Sequence, residues 1–389
     1  SKANTRAVDA LLNYETVKYF NNEEWEANRY DKSLETWQEA ALKSNYSLGW
    51  LNSGQAVIIA VAVTAMMTMA ASEVVSGAMT IGDLVLINAY IIQLFVPLNF
   101  LGFVYREIKR SLADMSRMFK ILDKEPTITS PVNAPALDIA NGGSIEFRDV
   151  SFAYNPNRPI LKNVSFSVPA GSSVAIVGPS GAGKSTIARL LFRFYDTVDG
   201  RILIDDQATT ERDLHTVRSA MGVVPQDTVL FNDSIFYNIQ YGRPSASREE
   251  VERAARLAHL HEFIEQLPEG YETTVGERGL KLSGGEKQRI SIARAMLKKP
   301  CILIFDEATS SLDSATEQAI LSAMHEVAAS RTSLTIAHRL STIIDSDQIV
   351  VLEAGQVVET GTHNELLGKR GVYYQLWELQ KQQDDQVPE

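Results

Sequence analysis

The stretch of this 389-residue sequence best equipped for chemistry is Gly178-Pro179-Ser180-Gly181-Ala182-Gly183-Lys184-Ser185-Thr186. Its glycines let backbone N–H groups turn inward around an anion, so Gly178, Ser180, Gly181, Gly183 and Thr186 read as a phosphate cradle. Lys184 is placed to reach the β- and γ-phosphates of a nucleotide, and Ser185 to ligate Mg²⁺. Such a loop needs a strand before it and a helix after it. Ser173–Val177 is apolar and β-prone, and a helical apolar period begins near Thr186. The helix N-terminus adds partial positive charge at the cradle. A second apolar run, Cys301–Phe305, ends in Asp306-Glu307. An Asp there can hold Mg²⁺, usually through water, and Glu307 is placed to act as general base on an attacking water. Cys301, the one cysteine, excludes an internal disulfide and is expected to be a small core residue.

Leu282-Ser283-Gly284-Gly285-Glu286-Lys287-Gln288-Arg289 opens a further predicted helix, running to Leu297. The Ser283 hydroxyl with the Gly284 and Gly285 amides offers a second anion site. This segment resembles the signature motif of ATP-binding cassette (ABC) proteins. The resemblance extends to further elements, in order. Tyr154 looks like the aromatic residue that stacks on adenine. Gln226 looks like the Q-loop glutamine that contacts Mg²⁺ and the membrane domain. Asp313, in Ser311-Leu312-Asp313, looks like the D-loop. His338 looks like the switch histidine at the γ-phosphate. Val275-Gly276-Glu277-Arg278-Gly279 looks like the coupling loop of exporters. The resemblance implies ATP hydrolysis with Mg²⁺, Glu307, His338 and Gln226 being catalytic. It also implies a dimer, because the family builds each ATP site from the cradle of one cassette and the signature of the other. With one of each per chain, a second copy of the same chain is the expected partner.

Two uncharged stretches, Leu51–Ala71 and Leu84–Tyr105, each have the length of about 20 residues that a helix needs to cross a bilayer. The connection Ser72–Asp83 carries Glu73 and Asp83 but no Lys or Arg. Arg29, Lys32 and Lys43 precede the first stretch; Arg106, Lys109, Arg110, Arg117 and Lys120 follow the second. The positive-inside rule therefore puts the connection outside and both flanks inside. The embedded Asn52, Gln55, Asn88, Gln93 and Asn99 must pair, either as glue between helices or as contacts to cargo. Pro97 should bend the second span. Residues 4–47 read as helix. Pro126, Pro131, Pro135 and Gly142-Gly143 mark a linker.

The fold class expected is thus α transmembrane helices with long cytoplasmic extensions, then an α/β P-loop cassette with a helical subdomain. The expected domains are a partial transmembrane domain at 1–125, a linker at 126–142, the cassette at 143–380 and a tail at 381–389. Within the first, a cytoplasmic helix and coupling helix occupy 1–48, spans lie near 49–71 and 84–105, and an extension covers 106–122. The coupling helix is expected around Tyr14–Asn21. The chain starts Ser1-Lys2-Ala3 without Met, so a fragment lacking earlier helices and any targeting signal is expected.

Asp9–Glu23 resembles the mitochondrial iron–sulfur-linked and heavy-metal-tolerance exporters of the B subfamily and their bacterial relatives, and Pro97–Gly102 fits the same group. That resemblance implies export of glutathione, glutathione-derived sulfur species or metal–thiol conjugates. It makes Asn52, Gln55, Asn99 and Gly102 the candidate cargo contacts. It also implies a bacterial or mitochondrial inner membrane, with the cassette on the cytoplasmic or matrix side and lipid around the helices. Lipid or multidrug export is the alternative cargo reading. A soluble cassette ATPase conflicts with the two apolar stretches. The net charge of −11 disfavours a nucleic-acid partner.

Overall fold

The computed structural model describes residues 2–276, 279, 281–306, 324, 328, 331–337 and 339–384, without the side chains of 2, 96, 98, 99, 101, 102, 106, 341, 383 and 384. The chain divides into two compact units, Ser1–Glu125 and Pro126–Glu389.

The first unit is all helix: α1 (Lys2–Leu12), α2 (Tyr14–Tyr19), α3 (Glu23–Val75) and α4 (Ile81–Leu122). The continuous helix expected over 4–47 is therefore broken twice. Asn13 sits between α1 and α2, and Asn21 adopts a left-handed φ of 52° between α2 and α3. Asn tolerates that conformation better than most residues. The short α2 lies where the coupling helix was placed. At the other end of α3 the chain reverses through Ser76–Thr80. Thr80 caps α4: its hydroxyl accepts from Asp83 N–H, and the Asp83 carboxylate accepts from Thr80 N–H. Helix α4 runs through Pro97 to Leu122.

Val57, Ile58, Val61 and Met69 of α3 are 63–71% exposed, and Ala70 is its one buried residue among those described. So much apolar surface is untenable in water and suits lipid or further helices. Among the described residues, one helix, Glu23–Val75, is long and apolar enough to cross a membrane, with a mean hydropathy of 1.9 in its best window. The apolar part of α4 counted in the same way is the shorter Ile81–Phe95.

The second unit is built on a six-stranded sheet. Strands β3 (Ser173–Val177), β6 (Met221–Val224), β7 (Ile302–Asp306) and β8 (Thr332–Ile336) run parallel with β9 (Gln348–Glu353), and β10 (Gln356–Gly361) closes one edge antiparallel. The order across the sheet is β10-β9-β3-β8-β7-β6. Strands β3 and β7 are apolar over most of their length because both faces are covered, whereas β8 buries Thr332 and Ser333. Val174 and Ile176 of β3 enter one core while Ala175 and Val177 enter another. Ile302 and Ile304 of β7 likewise face away from Leu303 and Phe305.

On the first face lie α5 (Lys184–Leu191) and an antiparallel sheet of β1 (Ile145–Asn155), β2 (Arg158–Val168), β4 (Asp199–Ile204) and β5 (Gln207–Ala208). A helical subdomain of α7 (Ile235–Gln240), α8 (Arg248–Leu257), α9 (His261–Glu265) and α10 (Gly284–Lys298) packs its own core against Leu303 and Phe305. The helices His363–Lys369 and Val372–Asp384 cover β3 and β9 through Leu366 and the fully buried Tyr373.

Residues 126–142 are tied down along the second unit. The Ser130 hydroxyl donates to Asp213 and accepts from Leu214 N–H, and Leu137 N–H donates to the Thr216 hydroxyl. Asn141, Gly143 and Ser144 all donate N–H to the Asp205 carboxylate. Proline and glycine end helices, but they do not prevent a strap from being stitched down by side chains far along the chain. One expectation needs correction, that Cys301 is a core residue. It precedes β7 and is exposed, because the buried run starts one residue later at Ile302.

Candidate nucleotide site

Register places the site. Ile176 of β3 is level with Ile336 of β8, Ile336 with Asp306 of β7, and Phe305 with Val224 of β6. The strands run parallel, so the loop at Gly178, the Asp306 carboxylate and Gln226 all emerge at the same carboxyl edge. Open parallel sheets bind ligands at that edge.

The loop at 178–183 is shaped by close approach. Gly178 has φ +151°, and a Cβ there would lie 2.0 Å from the Leu352 carbonyl oxygen. Gly183 has φ +102° and caps α5, and a Cβ there would lie 2.6 Å from Leu161 of β2. The second contact presses the β1–β2 hairpin against the start of α5. That helix begins at Lys184, two residues before the expected start at Thr186. Lys184 is 6% exposed, and its ammonium donates to the Gly178 and Pro179 carbonyls at 2.7 and 3.1 Å. A buried cation folded back on the loop, at the start of a helix, fits a polyphosphate. Ser180 and Gly181 are exposed at the loop's crest, and nothing lies within 4 Å of a Cβ built on Gly181.

Tyr154 reaches the same place from β1. Its hydroxyl lies 3.4 Å from that of the buried Thr186 and accepts from Arg189 at 3.2 Å. The Tyr154 hydrogen bond raises the Arg189 guanidinium above its ordinary value, and the Asp306 carboxylate adds to the effect. Tyr195 packs edge-on against Tyr154 at 5.0 Å. Arg189 and Tyr195 were not singled out in the sequence. Only the hairpin's approach to α5 brings them to Tyr154, and no local motif carries that information.

Ser283, Gly284 and Gly285 open α10, in the helical subdomain. Ser283 and Glu286 form a capping box: the hydroxyl accepts from Glu286 N–H at 3.3 Å, and the carboxylate accepts from Ser283 N–H at 2.7 Å. The hydroxyl proton is still available to an anion, and so are the Gly284 and Gly285 amides, which have no intrahelical acceptor. Ser283 and Gly284 are exposed, whereas Gly285 is buried.

Gln226 is exposed just beyond β6, and Asp306 is partly buried at the end of β7. Both carry side-chain oxygen, as does Ser185 at the start of α5, and oxygen is the donor type Mg²⁺ takes. Glu307, Asp313 and His338, with Glu277 and Arg278 of the coupling loop, lie outside the described residues. Asn52 and Gln55 are three residues apart on α3 and share a face; Asn99 and Gly102 fall within α4.

Comparison with known proteins bears on both units. Residues 1–98 match the ABC transporter transmembrane region and residues 161–310 the ABC transporter family. The mitochondrial iron–sulfur clusters transporter atm1 of Aspergillus fumigatus is 54% identical over 97% of this chain and 52% of its own length. The ATM1-type heavy metal exporter of Novosphingobium aromaticivorans is 54% identical over 100% of this chain and 64% of its own. The mitochondrial iron–sulfur clusters transporter ABCB7 of Homo sapiens is 52% identical over 97% of this chain and 50% of its own. A solved bacterial Atm1-family ABC exporter with ATP bound superposes with a TM-score of 0.90 at 54% identity, covering 97% of this chain and 66% of that one. The chain thus spans about half to two thirds of the length of the relatives it matches.

Proposed function

Because the chain belongs to the Atm1-type ABC transporters, we propose that it acts in an ATP-driven exporter, hydrolysing ATP at composite sites shared by two copies. The observation that carries this reading is the common sheet edge. The Gly178 loop, Gln226 and Asp306 all follow strand ends on that edge, on a chain that also holds, among the described residues, one helix long and apolar enough to cross a membrane.

The cradle amides and Lys184 bind the phosphates, and Tyr154 stacks on adenine. Ser185, Asp306 and Gln226 would hold Mg²⁺, which would supply positive charge beside the phosphates. Glu307 takes the proton of the attacking water, and His338 contacts the γ-phosphate. Ser283, Gly284 and Gly285 of one copy close over the cradle of the other. Each chain has one cradle and one signature, so a homodimer has two equal sites. Closure of the cassettes drives α2, as coupling helix, to switch the membrane cavity from inward- to outward-facing, and hydrolysis resets it. The membrane is a bacterial or mitochondrial inner membrane, with the cassette on its cytoplasmic or matrix side.

The cargo proposed is glutathione, a glutathione-derived sulfur compound or a metal–thiol conjugate. The amides of Asn52 and Gln55, on one face of α3, can pair with the carboxylates and peptide groups of a tripeptide. In the full-length protein, Asn52→Ala combined with Gln55→Ala is expected to abolish stimulation of ATPase activity by glutathione. Basal ATPase activity should remain. Stimulation at the parent level in the double variant would rule out these two amides as cargo contacts.

A further inference from the structure

Tyr154 does not reach the cradle as a free side chain. Phe152 and Tyr195 stand nearly perpendicular to its ring, at centroid distances of 4.8 and 5.0 Å. Its hydroxyl is held between Thr186 Oγ1, at 3.4 Å, and the Arg189 guanidinium, which donates at 3.2 Å. Thr186 and Arg189 are three apart on α5 and so lie on one face of that helix. The ring is thereby moored to the same helix whose first turn receives the phosphates, yet it is 44% exposed and open to a stacking partner. Arg189 is five residues beyond Lys184 and exposed, outside the loop itself.

We propose that Arg189 is a positioning residue for the nucleotide, presetting the Tyr154 ring for the base by holding its hydroxyl over the first turn of α5. The proposal rests on the cassette reading and adds to it the group that orients the stacking ring. A preset ring does not have to be ordered when the nucleotide arrives, so affinity gains without any direct contact from the guanidinium. The effect is confined to ligands that carry a base. A bare polyphosphate uses the cradle alone and is indifferent to the ring.

The test compares binding of ATP and of inorganic tripolyphosphate, both with Mg²⁺, to the full chain by calorimetry. Arg189→Met and Tyr154→Phe are each expected to weaken ATP roughly three- to tenfold, the range for the net contribution of one ordinary hydrogen bond. The double variant should be no weaker than either single one, because both remove the same bond. Arg189→Lys keeps a charged donor and should recover part of the loss. Tripolyphosphate affinity should stay within about twofold of the parent in every case, since the loop is untouched. Equal weakening of tripolyphosphate by Arg189→Met would overturn the proposal, showing either direct phosphate contact or general damage. Additive losses in the double variant, or unchanged or tighter ATP binding in Arg189→Met, would overturn it as well. Lys184→Ala separates the two levels of inference. It must weaken both ligands; if it weakens neither, the cradle assignment fails and takes the proposal with it.

Discussion

Replacing Glu307 with Gln is expected to lower ATP turnover by roughly 10²- to 10⁴-fold, the range attributed to a positioned general base. ATP affinity should change little. The substitution keeps the shape of the side chain but replaces one acceptor oxygen by an NH₂ donor and removes its basicity. Asp306 ends β7, at the edge where the Gly178 loop also emerges, and Glu307 is the next residue in the chain. An acid there can serve water at the γ-phosphate without being needed to hold the nucleotide. The variant should therefore trap ATP, and two copies should stay associated through closed cassettes. Turnover and equilibrium binding measured on one preparation decide the matter: turnover within tenfold of the parent would remove Glu307 as the base. Asp306→Asn makes the contrast. It weakens the Mg²⁺ donor set, so affinity for ATP with Mg²⁺ should fall together with turnover.

The strand that ends at Asp306 could be read directly from the sequence, whereas the mooring of Tyr154 could not. Strands β3 and β7 are legible because a strand buried on both faces reads as a near-continuous apolar run, which here ends before Gly178 and at Asp306; β8, with Thr332 and Ser333 buried inside it, carries no such run. Ser283 is legible because a hydroxyl three residues before Glu286 is a helix-start signal in its own right. Contacts made across the fold leave no such trace. Arg189 meets Tyr154 only because β1 and β2 fold over α5, and the strap at 129–144 is held by Asp205, Asp213 and Thr216, far along the chain. Cys301 shows a smaller failure of the same kind. An apolar run locates a strand, but its first residue can still project beyond the sheet.

Gly178→Ala is expected to remove ATP binding by deforming the cradle rather than by deleting a ligand. At φ +151° an L side chain is strained, which costs about 1–3 kcal/mol. The added methyl would also stand 2.0 Å from the Leu352 carbonyl oxygen, and backbone on β9 cannot step aside as a flexible side chain would. Forcing such a contact open adds about 1–3 kcal/mol. Together these reach roughly 2–6 kcal/mol, a large share of a typical domain's stability. Relief can come only by moving the loop away from β9, which also withdraws the Gly178 carbonyl that receives the Lys184 ammonium. Stability and binding should therefore be lost together. Thermal unfolding without nucleotide should shift down, and the transition should no longer rise on adding ATP. Gly284→Ala separates fold from function. A Cβ there meets nothing within 4 Å, and Gly284 lies in the first turn of α10. That variant should melt like the parent and bind ATP at its own cradle, yet hydrolyse slowly wherever a second copy must close over the phosphates. If Gly178→Ala were to melt and bind ATP normally, the tight approach of the loop to β9 would not be what shapes the site.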